Sequence, residues 1–159
     1  MRYVIRQKIF SLGDSFTIKD EAGNGIFVVR QQLLSFGKKL RIYDLLDNEL
    51  CYIEQRLLKF MPEYDIYISG SHVANVKKKF AFFRNDFLIT SPEGNYNVQG
   101  DIWAWEFELF RDNMLIAHIS KEFFSFSDTY GVDIDDNIDQ IRTLALAIVI
   151  DMVCHEDKN

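Results

Sequence analysis

Hydrophobic and polar residues alternate with a period of two along most of this chain. In Lys39-Leu40-Arg41-Ile42-Tyr43, Leu40 and Ile42 fall on one face and the two cations on the other. The segment Tyr64–Ile68 repeats the pattern. Trp103–Leu109 sets Trp103, Trp105, Phe107 and Leu109 opposite Glu106 and Glu108. Such alternation belongs to antiparallel strands with one buried face. Turn-forming residues separate the runs at Ala22-Gly23-Asn24-Gly25, Asp47-Asn48, Ser91-Pro92-Glu93-Gly94 and Asp112-Asn113. About a dozen strands are predicted, at the regular spacing of an all-β sandwich or barrel.

The period changes near the C-terminus. Asn137 followed by Gln140 has the form of a capping box, and Asp139 would sit in the first turn, where a carboxylate suits the helix dipole. Leu144 to Ile150 is then apolar without a break. Such a run covers every side of a helix and leaves no face for solvent. It is too short for a bilayer, which needs about 20 residues. Arg142 and Thr143 on one side and Asp151 on the other are expected to mark where the apolar surroundings end. The predicted fold is mainly β: a closed antiparallel barrel around one buried hydrophobic C-terminal helix, with residues 1–159 forming a single domain.

Composition and charge narrow the function classes. Two prolines and eight glycines in 159 residues leave little room for linkers. Cys51 and Cys154 are read as reduced thiols of a cytoplasmic protein, since a disulfide-dependent domain would carry more cysteines. No apolar stretch of signal-peptide type follows Met1–Gln7, so none is expected. The net charge of −6 divides unevenly, +5 over residues 1–84 and −11 over residues 85–159. Overall acidity argues against a nucleic-acid binder.

A series of segments resembles the LURP-one-related family. They are Lys8–Ile18, Tyr96–Asp101, Trp103–Leu109, Ala117–Glu122 and Phe126–Ile134, the last leading into the apolar helix. The resemblance runs in order over nearly the whole chain. It implies a tubby C-terminal-like fold, a closed barrel of about 12 strands with a hydrophobic helix through its middle, shared with tubby and the phospholipid scramblases. It implies no settled activity.

Candidate chemistry is sparse. His72, His118 and His155 share no spacing with one another or with a cysteine, and Ser69-Gly70-Ser71-His72 lacks the pattern of a nucleophile elbow. Gly23-Asn24-Gly25 runs into Ile26-Phe27-Val28, which makes it a hairpin turn and not a phosphate loop. No catalytic residue and no cofactor is expected, so the chain is read as a non-enzyme. The carboxylates Asp128, Asp133, Asp135, Asp136 and Asp139 could suit Ca²⁺, but their spacing departs from an EF-hand loop, and a role at the helix N-terminus is favoured. The remaining candidates are basic. One cluster is Lys38, Lys39 and Arg41; the other is Lys77, Lys78 and Lys79, with Arg84 nearby. Lys39 with Arg41, and Lys77 with Lys79, share strand faces. If the barrel brings the strands together, the four would form a patch for a phosphate-bearing group, with no apolar insertion segment beside it. Tubby binds phosphoinositide head groups through basic residues on its barrel wall, but no motif allows those positions to be carried over. The expected role is a binding module for anionic lipid head groups or phosphorylated ligands, peripheral to the membrane. The alternative is a protein-interaction or scaffold domain using exposed strands.

Overall fold

The computed structural model describes residues 1–6, 15–32, 35–79, 86–121 and 128–156. Segments Lys8–Asp14 and Phe126–Ser127 of the family resemblance, and Arg84 of the second basic cluster, lie outside them. Twelve strands follow one another: β1 (Arg2–Arg6), β2 (Ser15–Asp20), β3 (Gly25–Gln31), β4 (Lys39–Tyr43), β5 (Glu49–Gln55), β6 (Glu63–Ile68), β7 (Ser71–Lys79), β8 (Asp86–Ser91), β9 (Gly94–Asp101), β10 (Glu106–Arg111), β11 (Met114–Ser120) and β12 (Thr129–Ile134). Each pairs antiparallel with its neighbour in sequence. The sheet closes where β1 meets β12, from Arg2 opposite Asp133 to Arg6 opposite Thr129. The expected closed barrel and central helix are both present.

Strict up-and-down topology gives the barrel two distinct ends. The turn end carries the tight connections after β2, β4, β6, β8 and β10, and the loop end carries the longer connections after β3 and β5. The helix α1 (Gln140–Asp151) enters at the turn end, where Tyr3 Oη donates to Gln140 Oε1 at 3.0 Å and Arg142 Nη1 reaches Glu93 at 2.7 Å. It finishes at the loop end. There Asp151 accepts from Trp105 Nε1 at 2.9 Å and from Tyr130 Oη at 3.1 Å.

The core follows from the alternation. Leu40 and Ile42 of β4, Cys51 and Ile53 of β5, and Tyr64 and Ile66 of β6 point inward onto the helix, and all are fully buried. Every helical residue from Thr143 to Asp151 is buried, as a helix without a polar side must be. Near the loop end β9 and β10 approach closely at Gly100. Its φ of +113° and the 2.6 Å between a Cβ there and the Glu106 carbonyl oxygen leave room only for glycine.

Three sequence expectations change. Trp103 and Trp105 are not in a strand: residues 102–105 form a turn closed by Trp105 N–H to the Ile102 carbonyl, and β10 starts at Glu106. The helix cap is Asp139, not Asn137. Asp139 has extended backbone angles and its carboxylate accepts from Arg142 N–H, while Asn137 turns back to bond Asp135. Asp151 does not end the apolar surroundings either. Met152, Val153 and Cys154 are buried beyond it, in a π-helical turn Met152–Glu156 that continues α1.

Candidate binding site

The outer wall of β5, β6 and β7 holds a polar network centred on Asp65. Asp65 points outward by strand alternation, yet it is 2% exposed. Its register neighbours are Glu54 and Asn75, and the Arg56 side chain folds over it from the end of β5. His72 Nε2 lies 2.7 Å from Asp65 Oδ1 and Asn75 Nδ2 lies 3.0 Å from the same oxygen. Arg56 also bonds Glu63 at 3.2 Å. Burial pushes the Asp65 carboxyl up, but hydrogen bonds from Arg56, Asn75 and His72, with the Arg56 charge, together hold it below the usual carboxylate range. The Arg56 guanidinium is raised in turn by its hydrogen bond to Asp65. The network uses up its own charges, with Asp65 and Glu63 both facing Arg56.

Beside it runs an aromatic ladder. Tyr52 stacks on Tyr67 at 5.9 Å between ring centroids, and His72 meets Tyr67 edge-on at 5.3 Å. The Arg41 guanidinium lies 4.5 Å over the Tyr52 ring, and its Nε binds Glu49 at 2.8 Å. Arg41 is therefore drawn along the wall toward the turn end. Burial, with a hydrogen bond to Glu54, pushes the Tyr52 phenol up to about 12, so it stays neutral and donates to that carboxylate at 2.8 Å.

Lys39 goes the other way. It begins β4 at the loop end, beside an open groove of about 710 Å³ between the β3–β4 and β5–β6 loops. Arg56 and Lys59 line the groove with it, as do Gln32, Phe36, Glu54 and Gln55. Two hydrogen bonds fasten the loops together, Gln55 N–H to the Lys38 carbonyl at 2.9 Å and Lys38 N–H to Gln55 Oε1 at 3.1 Å. Lys77 and Lys79 are exposed on β7 and project outward from its loop-end half. Two strands, β5 and β6, separate β7 from β4. That is three spacings of about 4.8 Å each. The four sequence candidates thus form two pairs along one wall, with the Arg56 network between them.

Arg56 and Lys59 were not among the sequence candidates. The signal for them was available in Gln55-Arg56-Leu57-Leu58-Lys59-Phe60-Met61-Pro62, where alternation breaks and no carboxylate occurs. The acidic residues before the helix are dispersed. Asp128 pairs with Arg6 at the loop end, while Asp133 pairs with Arg2, Asp136 with the N-terminal amine and Asp139 caps the helix, all at the turn end. A second groove of about 310 Å³ lies along β1 and β2, where Arg6 and Lys19 share the lining with Asp20 and Glu21, together with Val4 and Thr129.

Comparisons with known proteins agree with this architecture. A crystal structure of an Arabidopsis thaliana protein superposes with a TM-score of 0.70 over 96% of this chain and 90% of its own, at 14% identity, which speaks to the fold alone. The uncharacterized protein YxjI of Bacillus subtilis (strain 168) is 34% identical over 155 residues, which span 98% of this chain and 94% of the relative. The model of the LURP-one-related family matches residues 1–151. With barrel, helix and sequence in agreement from end to end, the chain belongs to the LURP-one-related family.

Proposed function

We propose that this protein is a non-enzymatic binding module for an anionic, phosphate-bearing ligand, held in the loop-end groove by Lys39 and Lys59. The groove carries the reading: Lys39 and Lys59 line it with Gln32 and Gln55, whose side-chain amides can donate to oxygen, while the Arg56 guanidinium beside them stays engaged with Asp65 and Glu63. Lysine supplies a mobile point charge and amides supply directed donors, a combination suited to phosphate. Glu54 balances part of that charge, so one isolated phosphate would be held weakly. Lys77 and Lys79 add cations on the same wall for a larger anion or for a charged surface.

The test separates the two sources of such a group. Inorganic pyrophosphate, titrated calorimetrically, represents soluble ligands, and phosphatidylserine-containing vesicles represent lipid head groups. Lys39→Glu with Lys59→Glu is expected to abolish binding of whichever probe binds. Lys77→Glu with Lys79→Glu should weaken only the vesicle interaction, and every interaction should fall with rising salt. If wild type ignores both probes at low ionic strength, the reading fails, and a protein-interaction role on the exposed strands becomes the better account.

A further inference from the structure

The cations of the loop end are accompanied by exposed apolar side chains. In the β3–β4 loop Phe36 is 87% exposed. In the β5–β6 loop Leu57 is half exposed, Leu58 is fully exposed and Phe60 is 92% exposed. Single exposed apolar residues are ordinary, but four on two loops fastened to each other are a clustering of the kind that marks a contact surface. The loops meet at Gly37, whose φ of +76° sets its Cα against the Leu57 side chain. Leu58 itself holds φ at +58°, a left-handed conformation that costs a leucine energy, and its side chain finds no packing within the described residues in return.

Charge identifies what covers the patch. Residues 35–39 and 55–62 contain Lys38, Lys39, Arg56 and Lys59 and no Asp or Glu, in a chain of net charge −6. Arg56 is answered by Asp65 and Glu63 below the loops, and Lys39 and Lys59 stand beside the apolar tip. Two copies meeting tip to tip would bring these lysines together. An anionic bilayer instead offers hydrocarbon to the tip and phosphates to the rim. Lysine stems can lie along the apolar boundary while their ammonium groups stay at head-group level.

The structure assigns residues 35–39 and 56–62 as an interfacial membrane anchor: Phe36, Leu58 and Phe60 enter the acyl boundary of an anionic leaflet, and Lys39 and Lys59 contact its head groups. This deepens the binding-module reading and rests on the same cations. Insertion is shallow, because no helix of the described residues is long and apolar enough to cross a membrane.

The experiment is co-sedimentation of the full chain with phosphatidylcholine vesicles, with and without phosphatidylserine, at low and high salt. Wild type is expected to bind only the phosphatidylserine vesicles and to keep part of that binding at high salt, which charge alone would not allow. Phe36→Ser with Leu58→Ser and Phe60→Ser should lower vesicle partitioning by about tenfold or more and abolish the salt-resistant part. The same variant should melt no lower than wild type, and Leu58→Ser with Phe60→Ser alone, which leaves the groove residue Phe36 in place, should bind pyrophosphate unchanged. A Phe60→Trp variant should gain blue-shifted emission on phosphatidylserine vesicles. If the triple serine variant binds vesicles as wild type does, or Phe60→Trp emission does not shift, the anchor is overturned. Concentration-dependent dimerisation lost in the triple variant, with vesicles ignored, would overturn it in favour of a self-contact. If pyrophosphate binding is absent while the insertion results hold, the groove reading fails and the anchor stands.

Discussion

The two ends of the barrel are joined by the same strands, yet they are built from opposite chemistry. At the turn end carboxylates organise the chain. Asp44 accepts from the backbone N–H groups of Leu46 and Asn48 and from the Asn48 amide, and Asp20 does the same for Asn24. These bonds hold both carboxyls below their usual range. Left-handed positions there fall on Asp47, Ser69, Asp112 and Asn113, short polar residues that suit turns. Arg2, Arg30, Arg111 and Arg142 there each face a carboxylate. At the loop end a left-handed position is given to a fully exposed leucine, and two loops carry four cations with no carboxylate of their own. One end is arranged to close the barrel. The other keeps features that cost stability, which is expected where a surface has a task beyond folding.

Four substitutions test how real that contrast is. The largest effect addresses what the ends share. Leu146→Asp puts a carboxylate in the middle of a helix buried on every side, at a cost of several kcal/mol. Against a typical total stability of about 5–15 kcal/mol, both ends should fail together. A cooperative near-UV melt for this variant would break the picture of a single shared core. Asp65→Asn comes next, with an expected loss of about 2 kcal/mol by urea denaturation at neutral pH, allowing for the half-exposed Arg56. The folded protein holds Asp65 below its unfolded value. Its contribution is therefore complete above the usual carboxylate range and disappears as pH falls through the folded value, so the two proteins should converge in acid.

The two smaller effects have opposite signs. Asp44→Ala removes three hydrogen bonds from a turn and should lower the melting temperature, by less as the pH approaches the carboxylate range. Leu58→Gly relieves the left-handed leucine and should raise stability by about 0.5 kcal/mol, the relief exceeding the added freedom of the unfolded chain. If Leu58→Gly destabilises instead, Leu58 packs within the chain and the contrast between the ends loses its main support.

Most of the fold was legible in the sequence because it rests on periodicity. The Lys39–Tyr43 alternation is β4 to the residue, and the uninterrupted Leu144–Ile150 run required an interior that only a closed sheet supplies. Misreadings occurred where a local pattern competed with a longer-range one. Trp103 and Trp105 continue the alternation of β10 in sequence, but the Asp101 side chain draws Ala104 N–H into a turn. Asp151 looks like a boundary because a carboxylate is seldom buried, and nothing local reveals that Trp105 and Tyr130 converge on it. The basic residues were visible, but their arrangement was not. How far Lys39 stands from Lys77 depends on strand order, and whether Arg41 points along the wall depends on Glu49 and Tyr52 across the sheet. The apolar loop tip was missed because leucine and phenylalanine beside strands are ordinarily read as core.

The position of α1 after all twelve strands that enclose it constrains the order in which the molecule can assemble. A barrel that zipped shut when β12 met β1 would leave its filling outside. During synthesis the sheet is therefore expected to stay an open, curved ribbon with a greasy inner face until α1 leaves the ribosome, so that closure and filling become one event. The seam between β1 and β12, separated by more than a hundred residues, should be the last contact to form and among the slowest. Ribosome-bound chains stalled with α1 still in the exit tunnel should be cut readily by protease along their whole exposed length. Resistance at that stage would mean that the barrel can close empty.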